Sequence, residues 1–355
     1  MILIVTPYGP QTGSGNWRTA SRHEALLTQS GLPARVHVGP PAPADLSGIR
    51  AGLLLHARRS HLAAERFREL SIPYAVVLTG TDLYGDLQGL TQPDWADQAQ
   101  QSIRGAAAVV GLQSDACECL QRCIPDAPIC RVIAQTSAFE ARPLAERPPS
   151  RGGRRGSIEA LLVGHVRPEK DPLTAYRAIA TLVRDQQASI HLRHLGGVLD
   201  AALDDQLRSL VELHDLPIQR DGQVSHDTVE SAMQSADLLI APSRLEGGAL
   251  VLAEAVAVGL PVVASRIPGH IGILGEDHPG WFPQGDAQAL AARIGAWIAS
   301  PRDRAALQAA GETVRYRLTD GAAEAASLVR LLRDILGHGP QPGPQPPVKN
   351  APRHD

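Results

Sequence analysis

Short apolar runs alternate with amphipathic stretches along almost the whole chain, and the alternation starts afresh near the middle. In the first half, Ile2–Thr6, Ala34–Val38, Gly52–His56, Tyr74–Thr79, Ala107–Leu112 and Ile129–Ile133 have the length and composition of buried strands. A helix from about Asn16 to Ser30 carries apolar residues at helical spacing and stops at Gly31. The second half repeats the pattern, with strands at Glu159–Gly164, Ile190–Gly196, Leu238–Ala241 and Pro261–Ala264. Among the helices between them, Leu250–Val258 ends at Gly259 with Pro261 beyond. Such alternation predicts an α/β protein with parallel sheets covered by helices on both faces. At 355 residues there is material for two such units. The expected organisation is two doubly wound, Rossmann-like domains over 1–150 and 151–320, facing a central cleft. A C-terminal helix over 321–337 is expected to pack back on the first domain, ahead of a disordered Pro-rich tail over 338–355. The stretch Ala141–Ser157, without apolar periodicity, reads as the linker. In open sheets of this kind ligands bind beyond the carboxyl ends of the strands, so the strand-end loops should carry the chemistry.

Composition narrows the function. A net charge of −3 gives no electrostatic case for nucleic acid or an anionic membrane. No run approaches the ~18 apolar residues of a membrane span, and the opening MILIVTPYGP reads as a strand rather than a signal peptide. A cytoplasmic protein without nucleic-acid or membrane partners is expected. Its 32 arginines stand against two lysines, Lys170 and Lys349, and Lys349 lies in the tail. Under such a bias a surviving lysine hints that its site wants a compact ammonium. The four cysteines, Cys117, Cys119, Cys123 and Cys130, match no paired C-x-x-C pattern. Reduced, structural thiols are expected, with Cys119 and Cys123 on one helix face.

Two constellations mark the second half. In VGHVRPEKDP, Arg167 and Lys170 sit three residues apart on a strand-to-helix turn, and Asp171-Pro172 suits a helix start. Two cations beside a helix N-terminus make an anion site, although R-x-x-K alone also fits a solvated cap. In PSRLEGGALVLAEAVAVGLPVVAS, Glu246 precedes Gly247-Gly248, whose backbone N–H groups no side chain would block. Glu254 falls inside a helix of small apolar residues, where a carboxylate needs a hydrogen-bonding partner. A ribose would serve, and so would an arginine of another helix.

R-x-x-K-D-P, P-S-x-x-E-G-G, E-x7-E and G-x-P-V-V-A-S, in that order, resemble the second domain of GT-B glycosyltransferases of the family 4 type. The resemblance spans about Glu159 to Ser265. It implies that Arg167 and Lys170 bind a diphosphate and stabilise the leaving group. It also implies that Glu246, Gly247, Gly248, Ala249 and Leu250 hold the donor sugar and its phosphates, and that Glu254 holds the ribose. Such enzymes need no metal or other cofactor, and the chain has no D-x-D triplet.

The first half should supply the acceptor site. TPYGPQTGSGNWRT is a Gly-rich loop opening a helix and bringing Gly15, Asn16 and Arg18 to the cleft, where Gly15 and Asn16 would also meet the donor. LLLHARRS puts His56, Arg58 and Arg59 at a strand end, and VVLTGTDLYGDL does so for Thr79, Gly80, Thr81, Asp82 and Tyr84. Converging arginines suit a small anionic acceptor, with surface arginines as the bland alternative. Together these motifs resemble a narrower group, the selenosugar synthases of selenoneine biosynthesis. That resemblance implies transfer of a sugar from UDP-N-acetylglucosamine or UDP-glucose to the selenium of selenophosphate, with a functional link to a selenophosphate synthetase. His56 and Asp82 are then positioning or acid–base candidates. Gln135-Thr136-Ser137 departs from the Asn-Gly turn of broader family 4 members. A conventional O-glycosyltransferase, a UDP-sugar epimerase and a non-catalytic sugar-nucleotide sensor are the alternatives.

Overall fold

The computed structural model describes residues 1–139, 157–185 and 189–337. The expected linker up to Gly156, and the tail from residue 338 onward, lie outside the described residues.

The first unit runs β1 (Ile2–Thr6), α1 (Gly15–Gln29), β2 (Ala34–Val38), β3 (Ala51–Leu55), α2 (His61–Glu69), β4 (Tyr74–Val77), α3 (Pro93–Arg104), β5 (Ala108–Gly111), α4 (Ser114–Cys123) and β6 (Cys130–Val132). The second runs β7 (Ile158–Val163), α5 (Pro172–Arg184), β8 (Ile190–Leu195), α6 (Ala201–His214), β9 (Ile218–Gly222), α7 (His226–Ser235), β10 (Leu238–Ala241), α8 (Leu250–Ala257), β11 (Val262–Ser265), α9 (Pro268–Leu274), β12 (Trp281–Phe282) and α10 (Ala287–Ala299). Two long helices follow, α11 (Pro301–Thr319) and α12 (Gly321–Gly337). Asp171 caps α5 through Thr174 Oγ1 at 2.8 Å, with Pro172 in the first turn.

Each unit holds a six-stranded sheet, ordered β2-β1-β3-β4-β5-β6 and β12-β11-β10-β7-β8-β9, and the paired strands run parallel throughout. Strand order reverses between β1 and β3 in one sheet and between β7 and β10 in the other. At such a point neighbouring crossovers leave in opposite directions and open a crevice at the carboxyl ends. The strands β9 and β12 are absent from the sequence reading. Both lie at sheet edges, and IQRDG has a single apolar residue, so neither carries the continuous apolar run of a strand buried on both faces.

Apolar clusters cover both faces of both sheets. The helix α12 follows the second sheet in sequence yet buries Leu328, Leu331, Leu332 and Ile335 with Ile2, Ile4, Leu53 and Leu55 of the first. Its Glu324, buried, accepts hydrogen bonds from Arg22 Nε at 2.8 Å and from Thr136 N at 3.0 Å and Oγ1 at 2.6 Å. Ser137 N donates to Leu318 O at 2.7 Å. The chain leaving the first sheet is thereby tied to the chain returning to it. Thr136 is thus part of this tie, and its neighbour Gln135 donates to Thr19 Oγ1 at 2.5 Å.

The cysteines depart from expectation. Cys117 of α4 is bonded to Cys130 of β6, with Cα atoms 5.4 Å apart. Cys119 and Cys123 remain thiols, and both pack on the core beside Leu120. Compartment and local spacing point to reduced thiols, whereas the pairing arises because β6 returns beside the start of α4. A closed loop of this length removes about 3 kcal/mol of unfolded-state freedom. Cys117→Ser, or reduction of the wild type, is expected to lower unfolding free energy by about that much in urea titration. Identical midpoints with and without reductant would contradict a stabilising bond.

Candidate functional site

The carboxyl ends of the two sheets face each other across a cleft of about 350 Å³. Its walls come mainly from the loops that follow β1, β3, β4, β7, β8, β9 and β10. Gly80 and Gly247 seat the two units together: a Cβ on Gly80 would lie 2.4 Å from Gly247 N, and one on Gly247 would lie 2.4 Å from the Thr79 carbonyl carbon. No side chain fits there. The Gly247-Gly248 pair, expected to open its backbone to a ligand, therefore serves first as backbone packing between the units. Gly248, backed by Leu112 and Gln135, still lines the cleft.

Behind it, α8 starts from Ala249 in a left-handed conformation (φ 31°, ψ 56°) with no side-chain cap. The uncapped N–H groups of Leu250 and Val251 open towards the cleft that both residues line. Across it, α1 presents Gly15 and Asn16, with Ser14 as its cap through Trp17 N at 3.2 Å. Two helix N-termini thus add positive potential to the same space.

Arg167 and Lys170 both line the cleft after β7. Lys170 Nζ meets Glu246 Oε1 at 2.5 Å, and Ser243 Oγ donates to the same oxygen at 2.8 Å. Burial pushes the Glu246 carboxyl up, but Lys170, His270 and Arg167 together outweigh it and hold it below the usual carboxylate range. Arg167 is less committed: its Nε lies 4.0 Å from Glu169 Oε2 and makes no hydrogen bond among the described residues. Glu254 also lines the cleft, with Oε1 receiving Arg18 Nη1 at 3.3 Å and His226 Nε2 at 2.8 Å. The arginine partner weighed against a ribose is therefore present, and it comes from the first unit.

The residues expected in an acceptor pocket divide. His56, Arg59, Thr79, Thr81 and Arg18 line the cleft. Arg58, Gly80, Asp82 and Tyr84 do not, Gly80 being spent on the contact with Gly247. Arg58 turns away to Asp86, 2.9 Å from its Nε, and covers the Trp95 ring at 3.9 Å. Tyr84 is buried and donates to Asp115 Oδ2 at 3.0 Å. Asp82 is buried beneath the loop, accepting N–H groups of Ala57 at 2.9 Å, Thr79 at 3.0 Å, Gly80 at 2.8 Å and Leu83 at 3.1 Å. Burial outweighs these donors and leaves its carboxyl above the usual range. Its role is to fold the Thr79–Thr81 turn, not to meet a ligand. Spacing along one strand end cannot distinguish adjacent arginines that point to opposite sides of the loop.

His56 has a left-handed backbone (φ 71°) and contacts Thr81 Oγ1 through Nε2 at 3.0 Å, while its Nδ1 faces Arg59 N at 3.4 Å. Burial pushes it down to about 3, with the charges of Arg59 and Arg58 acting the same way. Neutral and held at both nitrogens, it positions Thr81 and cannot act as a strong base. The Arg59 guanidinium packs over the Tyr8 ring at 5.0 Å and meets no carboxylate within ion-pair distance among the described residues. Burial lowers its proton affinity, and the charges of Arg58 and Arg167 act likewise. Arg59 of one unit, with no such carboxylate partner, and Arg167 of the other, with Glu169 only at 4.0 Å, therefore bring weakly matched positive charge to the cleft.

The sequence reading did not single out Tyr8, His165 and Gln223, which also line it. His165 lies within the quoted VGHVRPEKDP and accepts Gly197 N at 3.0 Å. Tyr8 lies within the quoted Gly-rich loop. Gln223 follows the unrecognised β9 and donates to Gln11 O at 2.9 Å, so no sequence signal pointed to it.

Across both units the described residues have the GT-B fold. Sucrose-phosphate synthase from Thermosynechococcus elongatus superimposes with a TM-score of 0.77 at 17% identity, covering 95% of this chain and 99% of that one. HepE from Anabaena, solved in complex with UDP-glucose, gives 0.77 at 14% identity, covering 94% and 99%. Residues 148–314, which span most of the second unit, match the family described as glycosyl transferases group 1. The putative colanic acid biosynthesis glycosyltransferase WcaL of Escherichia coli K12 is 30% identical over 149 residues, 39% of this chain and 36% of that protein. The D-inositol 3-phosphate glycosyltransferase of Arthrobacter sp. FB24 is 34% identical over 141 residues, 38% and 31% respectively. The chain thus spans about a third of the length of these curated relatives.

Buried histidines, of which His56 lines the cleft, also set an acid limit. Burial holds His23, His194 and His270 at about 4 and His56 at about 3, below the ordinary 6.5. The unfolded chain therefore takes up protons first as pH falls. The stability linked to these neutral rings is complete above about 6.5 and is lost towards about 4. Unfolding free energy should fall over that window by up to ~1.4 kcal/mol per pH unit for each ring. A Tm that stays level between pH 7 and pH 4.5 would rule this out.

Proposed function

We propose that this chain is a glycosyltransferase with a UDP-sugar donor and selenophosphate as acceptor, a selenosugar synthase. The observation that carries the proposal is the convergence of two guanidinium groups from opposite units. Arg59 has no carboxylate partner among the described residues and Arg167 has Glu169 only at 4.0 Å. Two half-buried cations so weakly matched favour a multiply charged anion between the domains. The fold, the group 1 match over the second unit and the likeness to HepE, solved with UDP-glucose, support the donor class.

In this reading Arg167, Lys170 and the uncapped start of α8 hold the diphosphate, and Glu246 and Gly248 lie beside the sugar. Arg59, with Thr79 and Thr81, holds the oxyanions of selenophosphate. A lone pair on selenium attacks the anomeric carbon, and the bond from that carbon to the diphosphate oxygen breaks, its electrons leaving with UDP. The cations meet the charge that develops there. The phosphoryl group stays on selenium until water takes it, releasing phosphate and the selenol. Selenium in this anion carries no proton to remove, which agrees with a site whose histidine is neutral and already held at both nitrogens. The closed cleft brings the reactants together and keeps water from the donor. A selenophosphate synthetase would be the functional neighbour.

A phosphorylated alcohol is the second reading. The same arginine pair suits it, and D-inositol 3-phosphate glycosyltransferases are among the relatives. Such an acceptor would transfer without any selenium donor. Mass spectrometry after incubation with UDP-N-acetylglucosamine or UDP-glucose, with and without selenophosphate, separates the two. A glycosylated selenium product should form only when selenophosphate is present.

Lys170→Ala is expected to lower UDP release by roughly 10²–10³-fold, and unaltered turnover would sink the phosphate assignment. Arg59→Ala should raise the KM for selenophosphate by at least about tenfold while sparing UDP affinity. Arg58→Ala, whose charge rests on Asp86, should leave that KM in place.

A further inference from the structure

We propose that Arg18 is a positioning residue for the donor, in spite of its place in the first domain, and that it makes donor recognition depend on domain closure. The proposal rests on the reading of Glu254 as the ribose-binding carboxylate.

Glu254 sits on α8 with its side chain only 2% exposed, in a helix whose other buried residues are apolar. A carboxylate so placed needs its charge matched and its direction fixed. Both contacts it makes fall on one oxygen, Oε1: Arg18 Nη1 at 3.3 Å and His226 Nε2 at 2.8 Å. Oε2 has no hydrogen bond among the described residues, although the residue lines the cleft. One oxygen is thus held by protein and the other is left to accept from a hydroxyl. His226 is itself fixed from behind, its ring 4.5 Å from that of Phe139 on the chain joining the two units.

The cationic half of this arrangement belongs to the opposite unit. Arg18 lies one turn into α1, behind Gly15 and Asn16 at the cleft, and its side chain is 26% exposed. It reaches Glu254 only while α1 and α8 face each other as they do here. When the units part, Glu254 keeps its helix and His226 but loses its cation and a hydrogen bond that orients it. The ribose-binding carboxylate is therefore complete in the closed form alone, so nucleotide binding and closure favour each other. This removes Arg18 from the acceptor anion site, where Arg59 remains. Two hydrogen bonds to one oxygen set the plane of the carboxylate, and a vicinal diol requires that plane to be right.

The test is calorimetric titration of UDP into wild type, Arg18→Ala, Arg18→Lys, Glu254→Ala and the double variant Arg18→Ala/Glu254→Ala, with KM values for both substrates. Arg18→Ala should weaken UDP binding about tenfold and raise the donor KM, leaving the selenophosphate KM in place. Arg18→Lys should recover part of the loss. The double variant should bind UDP no worse than Glu254→Ala, since Arg18 acts through that carboxylate. Arg18→Ala that raises only the selenophosphate KM, or losses that add in the double variant, would overturn the proposal while leaving Glu254 as a donor residue. Unchanged UDP affinity in Glu254→Ala would overturn the donor reading and this inference with it.

Discussion

The approach of two backbones at Gly80 and Gly247 is the contact on which the cleft depends. Either Cβ would fall 2.4 Å from main-chain atoms of the opposite unit, and main chain cannot swing aside as a side chain can. Because the units meet this closely, groups more than a hundred residues apart in sequence come within each other's field. Arg59 senses Arg167, and Arg18 reaches Glu254. Each sheet alone would offer half a site: cations and an uncapped helix start on one side, a Gly-rich loop and an arginine on the other.

Around that contact the charges are matched unevenly. Lys170 rests on Glu246, Arg18 on Glu254 and Arg58 on Asp86, each arginine or lysine beside one carboxylate. Near the cleft Arg59 has no such match among the described residues, and Arg167 has only Glu169 at 4.0 Å. Compensated pairs hold side chains in place and set directions, whereas an uncompensated pair stores attraction for an anion. That difference separates charges already matched within the protein from charge left to attract an anion. It also changes the acid–base picture, since the buried Asp82 shapes a turn and the neutral His56 holds a threonine.

The tie between the units is built from a few buried polar groups. Glu324 gathers Arg22 and both polar groups of Thr136, so the outgoing and returning chains share one carboxylate. With α12 packed into the core of the first sheet, the second unit is connected at two points and not one. Two crossings limit the directions in which the cleft can open, a constraint that suits closure over a small ligand.

The alternation of apolar strands and helices was legible directly, because a strand buried on both faces must be a continuous apolar run. The edge strands β9 and β12 escaped for the same reason, having little to bury. Arg167, Lys170, Glu246 and Glu254 stood out in sequence because their order, spacing and neighbours are local facts. What Arg18 and Arg58 do, and which cysteine pairs with Cys117, depends on where separate elements lie in space. Arg58 and Arg59 are neighbours with the same chemistry, yet one is spent on Asp86 and the other is open to the cleft. Sequence alone determined two parallel-sheet units and which charged residues the loops of the second bring to the strand ends. Only the tertiary structure decided which charges neutralise one another, since that depends on distances across an interface and not on spacing along a chain.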